Sequence, residues 1–123
     1  MNYVTKEKGI KYINSLLHLK IRDFYSYNKI ISNILKIKTN IPLFIDFKTI
    51  FLPIKSYKAY DCIWLNYYEI KEIIDSKNNC LIKFNNGEIT SFEVRYNKLK
   101  RIIKNAEIII SYFKKIECES VIN

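Results

Sequence analysis

The chain has 123 residues, of which 49% are apolar, and a formal net charge of +9. This length predicts one domain whose core is large enough to fold without disulfides or a structural metal, and the apolar content argues against disorder. The three cysteines are irregularly spaced and form no CxxC pair, so neither a disulfide framework nor a zinc site is predicted. No leader peptide and no apolar run of membrane-spanning length is recognisable, so we expect a cytoplasmic protein without a membrane partner.

The positive charge is concentrated in two parts of the chain. Residues 1–60 carry 11 Lys or Arg against 3 Asp or Glu, residues 61–94 carry 3 against 6, and residues 95–115 carry 7 against 1. Total charge alone is a weak sign of a partner, because A+T-rich codons also produce a chain rich in Ile, Lys and Asn. The basic–acidic–basic order is harder to attribute to codon usage. If the two basic segments lie side by side, they form one positive face suited to nucleic acid.

Two helices are predicted in the first third of the chain. Apolar residues at three- and four-residue steps predict the first helix over residues 6–20. The second is predicted over residues 27–37, with Ser26 as its N-cap. Its expected buried stripe is Ile30, Ile31, Ile34 and Leu35. The same run is rich in β-branched residues, which also fits a strand.

Short apolar runs from Pro42 onward predict strands. "PLFI" and "TIFLPI" are separated by "DFK", which indicates a tight reversal, and "AYDCIWLN" and "YYEIKEIID" follow as two further extended segments. Pro42 and Pro53 are expected at strand ends or on an edge, where a missing N–H is tolerated. A helix over residues 66–75 competes with the last strand, since no strong breaker interrupts that segment.

The segment "CLIKFNNGEITSFEV" predicts a hairpin around Gly87. A two-residue turn would place Cys80 opposite Glu93 and mix apolar with charged residues on one face. A three-residue loop over residues 85–87 would place Cys80 opposite Phe92 and collect one mostly apolar face. A slip of one residue exchanges the two faces of a strand, so we predict the three-residue loop, with Gly87 in a left-handed conformation.

Residues 97–114 give the clearest helical pattern, because apolar residues step along one face and Asn97 can cap the start. The basic residues of this segment lie off that face, and so does Ile108, which amphipathicity does not explain. Together the patterns predict an α+β domain with two N-terminal helices, an antiparallel sheet of about five strands and a C-terminal basic amphipathic helix.

No catalytic site is recognisable in the sequence. His18 is the one histidine, and a lone helical histidine is more often a packed or surface residue than a catalyst. The carboxylates of residues 69–75 share their segment with Lys71 and fit a solvated face better than a metal or acid–base site. No nucleophile, phosphate-binding or zinc motif is present. We therefore expect no enzymatic activity, no cofactor, no metal and no small-molecule substrate.

Tyrosines interleaved with basic residues suit nucleic acid, because their rings can stack on bases. Tyr25 and Tyr27 lie beside Arg22 and Lys29, while Tyr57 and Tyr60 flank Lys58. Tyrosine is also common in strands, so packing is the competing interpretation.

Four segments carry a family resemblance through their order along the chain. They are "ILKIKTNIPLFIDFKTIFLPIKS", "DCIWL" with Trp64 as its anchor, "IKFNNGEI" and "RYNKLKRIIKNAEIIISYF". Over residues 34–113 this set resembles the ComK family of bacterial competence transcription factors, and residues 1–123 are interpreted as a single ComK-like domain. One departure is the family's Gly-Ser-Ser-Tyr-x-Gly-Arg-like motif. Here "IRDFYSYNK" stands in its place, without glycine and with Tyr27 at the arginine position.

The resemblance implies a DNA-binding activator of competence genes that recognises A+T-rich promoter sites, chiefly through the minor groove, and acts as a homo-oligomer. A+T tracts narrow that groove and deepen its negative potential, which attracts Arg and Lys. We expect the DNA contacts from Arg22, Lys29, Lys36, Lys38, Lys98, Arg101 and Lys104, and structural roles for Gly87, Trp64 and Pro42.

The alternative is an interaction protein that does not bind DNA and modulates a full-length regulator by hetero-oligomerisation. It follows from the resemblance, because family members carry longer terminal segments than this sequence.

Overall fold

The computed structural model describes residues 21–54 and 63–122, with side chains over residues 25–54 and 63–118. The first predicted helix, residues 6–20, lies outside the described residues, as do His18, Tyr57 and Tyr60. The described elements are the helices α1 (Ile21–Leu35) and α2 (Tyr96–Ile122) and the strands β1 (Leu43–Asp46), β2 (Thr49–Pro53), β3 (Trp64–Asn66), β4 (Ile70–Ser76), β5 (Asn79–Phe84) and β6 (Ile89–Phe92). The predicted α+β class and the C-terminal helix are confirmed. None of the described helices is long and apolar enough to cross a membrane.

The described residues contain one helix before the strands, α1, and the first predicted helix lies outside them. Because α1 includes Ile21–Leu35, Ser26 lies inside the helix and not at its N-cap. The helix ends at Leu35 because Lys36 adopts a left-handed φ of 61°, and the Lys36 N–H then closes the last turn on the Ser32 carbonyl at 3.0 Å.

The buried row of α1 also differs from the predicted stripe. Ile31 is buried, but Ile30 and Ile34 are 53% and 48% exposed. The inward row is instead Tyr27, Ile31 and Leu35, at four-residue steps. This row faces inward because the helix packs on this side against the cluster that it shares with β2 and α2.

The strands form two antiparallel sheets of three strands, in the orders β1-β2-β3 and β4-β5-β6, and not one sheet of about five. The break lies at a single 3-10 turn, Tyr67–Glu69, within the segment "YYEIKEIID". The Asn66 side chain caps this turn by accepting the Tyr68 N–H at 3.2 Å. The turn redirects the chain, so β4 pairs with β5 and not with β3. A helix over residues 66–75 was the alternative prediction for this segment, and only this one turn of it is helical.

Strands β1 and β2 form the predicted short hairpin. Asp46 stabilises the reversal, since its Oδ1 accepts the Lys48 N–H at 2.8 Å. Pro53 is the last residue of β2, and Pro42 immediately precedes β1, so both prolines lie at strand ends as predicted.

The β5–β6 hairpin has the predicted register. Cys80 pairs with Phe92, and Ile82 with Thr90. The loop over residues 85–87 is closed by the Phe84 N–H on the Glu88 carbonyl and by the Gly87 N–H on the Phe84 carbonyl, both at 2.8 Å. Gly87 has a φ of 90°, and a Cβ built there would meet nothing within 4 Å. Glycine is therefore required by the backbone conformation and not by space.

Two apolar clusters lie along α2. The first joins the buried face of the β5–β6 hairpin to Leu99 and to two residues of the first-sheet region: Cys80, Ile82, Phe84, Phe92 and Val94, with Ile54 and Leu65. The second joins α1, the segment after it and β2 to the helix: Ile31, Ile37, Ile41, Ile50, Leu52, Ile102, Ala106, Ile109 and Ile110. Trp64 is completely buried in β3. Because α2 contributes to both clusters, its rotation about its own axis is fixed, and so is the face that it turns to solvent.

Candidate nucleic-acid interface

The outward face of α2 presents cations. Leu99, Ile102 and Ala106 are buried, and at 3.6 residues per turn the opposite side carries Arg101 and Lys104, which are both exposed. Ile108 continues this face one turn after Lys104 and is 40% exposed. We call the outward surface made by Arg101, Lys104 and Ile108 the α2 face.

The segment between α1 and β1 adjoins the start of α2. A depression of about 300 Å³ is lined by Thr39 and Asn40 from this segment and by Lys98, Arg101, Ile102 and Asn105 from α2. Ile37 and Ile41 are buried in the cluster that Ile102 shares. Lys36 and Lys38, on either side of Ile37, are exposed. A part of the first basic segment, residues 36–41, therefore lies beside the start of α2.

A groove of about 840 Å³ lies on the other side of Arg101, between α2 and the segment that contains the 3-10 turn and β4. Its apolar and aromatic lining is Tyr67, Tyr68, Ile70, Ile73, Tyr96 and Ile103, and its charged lining is Lys71, Glu72, Lys100, Arg101, Lys104 and Glu107. We call it the tyrosine groove. Arg101 lines both the groove and the smaller depression.

Several polar contacts fix the walls of the tyrosine groove. The Tyr67 hydroxyl donates to Glu107 Oε2 at 3.0 Å, which joins the 3-10 turn to α2. Burial raises the pKa of Tyr67. The hydrogen bond to Glu107 and the negative charge of that carboxylate raise the pKa of Tyr67 further, so the hydroxyl keeps its proton. Asn85 holds the turn from the hairpin side, since its Nδ2 donates to the Tyr68 carbonyl at 2.7 Å. Lys100 Nζ lies 5.2 Å from the centroid of the Tyr96 ring, a cation–π contact.

The structure brings some of the predicted DNA-contacting residues together and leaves others apart. Lys98, Arg101 and Lys104 share the first half of α2, and the segment carrying Lys36 and Lys38 adjoins them. Lys29 is exposed on α1 but lies two residues from Tyr27, on the side of the helix opposite to its buried row. Arg22 belongs to α1, and its side chain is outside the described part.

The tyrosines singled out by the sequence are not the ones that line the groove. The Tyr27 hydroxyl donates to the Pro42 carbonyl at 2.6 Å and accepts the Phe44 N–H at 3.0 Å, so Tyr27 joins α1 to β1, and its ring packs against the second apolar cluster. Tyr25 is exposed on α1. The groove tyrosines, Tyr67, Tyr68 and Tyr96, were missed together with Lys71 and Lys100. The pair "YY" directly after Asn66, at the end of a strand, is the sequence feature that could have identified two of these tyrosines.

Among the side chains that the structure describes, no group of three His, Cys, Asp or Glu is placed to hold a metal ion. Burial raises the pKa of the Cys80 thiol, which lies inside the apolar hairpin face. Such a thiol is a core group and a poor nucleophile.

Comparison with known proteins identifies the family. The model of one family, described as ComK protein, matches residues 1–117. No curated protein and no solved structure matches the chain. The family match contains the whole of residues 34–113, where the sequence segments carry the resemblance, and it covers well over half of the chain. The chain therefore belongs to the ComK family, a family of regulators of bacterial competence.

Proposed function

We propose that the protein is a DNA-binding transcriptional activator of competence genes that recognises A+T-rich promoter sites as a homo-oligomer. The observation that carries the proposal is the α2 face: Arg101 and Lys104 are exposed on one side of a helix whose other side is buried in both clusters. Lys98 and the segment with Lys36 and Lys38 extend the positive surface beyond it. Membership of the ComK family supports DNA as the partner of this surface.

The dimensions of DNA favour side-chain insertion over helix insertion for A+T recognition. An α-helix with its side chains is about 10–12 Å wide, whereas the minor groove of B-DNA is about 6 Å wide. Helix α2 therefore lies over the backbone, where Lys98 and Lys104 pair with phosphates. The longer Arg101 side chain reaches into the narrow minor groove of an A+T tract, where the negative potential is strongest.

The departure at the family's glycine–arginine motif is consistent with this arrangement. Tyr27 stands at the arginine position and is held by the main chain of residues 42 and 44. It supplies no cation to DNA, so a larger share of the electrostatic attraction falls on α2.

Charge reversal tests the proposal. Arg101→Glu and Lys104→Glu are compared with Lys77→Glu, which makes the same charge change in the β4–β5 turn, on an exposed residue outside the α2 face. The affinity for an A+T-rich duplex is measured by fluorescence anisotropy over a range of salt. Each α2 variant should lose about 1–3 kcal/mol of binding free energy and show a salt slope reduced by about one, while Lys77→Glu stays near wild type. Equal effects of all three substitutions would mean that α2 is not the DNA face.

Exposed isoleucines favour a second candidate function, an interaction protein that modulates a full-length regulator by hetero-oligomerisation. Ile30 and Ile34 lie one turn apart on α1 and are both about half exposed. If wild-type protein shows no duplex binding at low salt but co-sediments with a full-length family member, and Ile30→Lys with Ile34→Lys abolishes that association, the second candidate replaces the first.

A further inference from the structure

The tyrosine groove combines aromatic rings with cations, and contact with the backbone of a DNA duplex does not require the rings. Its floor is formed by Ile70, Ile73 and Ile103, and its walls carry the rings of Tyr67, Tyr68 and Tyr96, all half-buried. Its volume of about 840 Å³ is within the range of sites that hold small organic groups. The three rings therefore pack against the two apolar clusters on one side and line one concave site on the other.

The rings are held in place before any ligand binds. Tyr67 and Tyr68 pack edge to face, with centroids 5.2 Å apart and planes at 78°. The Tyr67 hydroxyl is anchored on Glu107, and the main chain of the 3-10 turn is anchored by Asn85, whose N–H donates to the Glu69 carbonyl at 2.9 Å. A preorganised aromatic wall loses little conformational entropy when a flat group stacks on it.

Positive charge surrounds the aromatic lining. Lys71, Lys100, Arg101 and Lys104 line the groove together with two carboxylates, which leaves an excess of two positive charges. One of these carboxylates, Glu107, already accepts the Tyr67 hydroxyl. The groove therefore favours a ligand that combines flat aromatic groups with regularly spaced negative charges.

We propose that the tyrosine groove binds unpaired nucleotides of single-stranded nucleic acid. Bases stack on the tyrosine rings, and the phosphates between them pair with Lys71 and Lys100. At Tyr96 the base replaces Lys100 Nζ, which lies 5.2 Å from the ring centroid and turns to the neighbouring phosphate. The inference goes beyond the proposed function, because the bases of a duplex are covered on both faces by their neighbours and cannot enter an aromatic groove. Base–aromatic stacking accepts any base, so the site has little sequence preference. An acidic peptide would satisfy the cations but leave the three rings without a flat partner.

The test separates stacking from charge. Full-length protein is titrated by fluorescence anisotropy with a labelled thymidine strand of about 12 nucleotides, and with an abasic strand of the same length and charge. The thymidine strand should bind more tightly by roughly 5- to 150-fold for each base that stacks, which corresponds to about 1–3 kcal/mol per base. A uridine strand is measured in parallel, so that DNA and RNA as sources of the unpaired bases are distinguished. Equal binding of abasic, thymidine and uridine strands would overturn the proposal.

Substitutions of tyrosine test whether the strand binds in the tyrosine groove. Tyr96→Leu should weaken thymidine-strand binding by roughly 5- to 150-fold, the contribution of one stacked base, and leave abasic-strand binding unchanged, whereas Tyr96→Phe, which keeps the ring, should bind like wild type. Tyr112→Leu is the matched control, because Tyr112 is a half-buried tyrosine of α2 outside the groove lining. If Tyr112→Leu lowers binding as much as Tyr96→Leu, the effect is structural and the proposal fails.

Duplex binding is measured with the same variants. Its absence in wild-type protein would contradict the proposed function alone, since the comparison of thymidine and abasic strands does not depend on it. Retention of duplex binding in Tyr96→Leu, with weakened binding of the thymidine strand, would show that the groove is a separate site.

Discussion

Replacing Tyr27 by phenylalanine removes one oxygen atom that joins α1 to β1. This hydroxyl donates to the Pro42 carbonyl at 2.6 Å and accepts the Phe44 N–H at 3.0 Å, contacts between residues 15 and 17 positions apart in sequence. The ring is retained, so its packing near Ile31 is preserved. The substitution therefore isolates the two hydrogen bonds.

The expected cost follows from the two bonds. Each contributes a net 0.5–1.5 kcal/mol, and a buried main-chain group left without its partner costs more. Pro42 is buried, so its carbonyl cannot regain a hydrogen bond to water freely. We expect Tyr27→Phe to lower the free energy of unfolding by about 2–3 kcal/mol, which lowers the urea midpoint by roughly 1 M. Tyr112→Phe is the control and should change the midpoint little.

The loss should also depend on pH. Burial is the main cause that raises the pKa of Tyr27 far above its usual value, and the hydrogen bond from Phe44 offsets only part of it. In the unfolded chain the hydroxyl ionises at about pH 10. The stability that comes from the buried neutral hydroxyl is complete below that pH and is lost as the pH rises above it, by about 1.4 kcal/mol per pH unit. The stability gap between wild type and Tyr27→Phe should therefore narrow as the pH rises above about 10. A gap that is small at neutral pH, or that widens at alkaline pH, would refute the reasoning.

Three further substitutions test other parts of the structure. Gly87→Ala should cost about 1–2 kcal/mol in thermal unfolding, because the left-handed backbone strains any Cβ although the space is open; an unchanged melting temperature would contradict the hairpin geometry. Asn28 is buried, and its side-chain nitrogen and oxygen have no hydrogen-bond partner among the described residues. Asn28→Leu should therefore raise the free energy of unfolding, measured in urea titrations, by about 1–3 kcal/mol. A lower free energy of unfolding would show that the Asn28 side chain does have a partner. Ile108→Lys adds a cation to the α2 face at an exposed position, so duplex affinity should rise and the salt slope should steepen by about one, with stability within about 0.5 kcal/mol; an unchanged slope would place DNA elsewhere.

The hairpin and the last helix could be predicted from the sequence because their determinants are local. One glycine and an alternating pattern suffice for the register of Cys80 against Phe92, since the competing register would turn the apolar face to water. The spacing of Leu99, Ile102 and Ala106 likewise determines which side of α2 is buried, and so places Arg101 and Lys104 outside.

The break between the two sheets could not be predicted, because it depends on tertiary contacts of Asn66. Its Oδ1 accepts the N–H groups of Tyr68 and of Ile50, the second of which is 16 residues away. No local pattern shows that an asparagine at the end of one strand will bind a neighbouring strand and cap a turn. The preference for Tyr27 over Ile30 on the buried side of α1 has a similar origin, since it depends on the main chain of β1.

The tyrosine groove was missed for the same physical reason. Its lining comes from residues 67–73 and residues 96–107, which only the fold brings together. In sequence, Tyr67 and Tyr68 belong to an acidic segment, whereas Tyr96 and Lys100 belong to a basic one, so no local pattern shows that the three rings line one groove.

A salt-dependent titration of the full-length protein with A+T-rich and G+C-rich duplexes decides whether the chain binds DNA as proposed. We predict tighter binding to the A+T-rich duplex and an affinity that falls steeply as salt rises, as expected when several phosphates are neutralised by exposed lysines and arginines. An absence of duplex binding at low salt, or equal affinity for the two duplexes, would contradict the proposed recognition of A+T-rich sites.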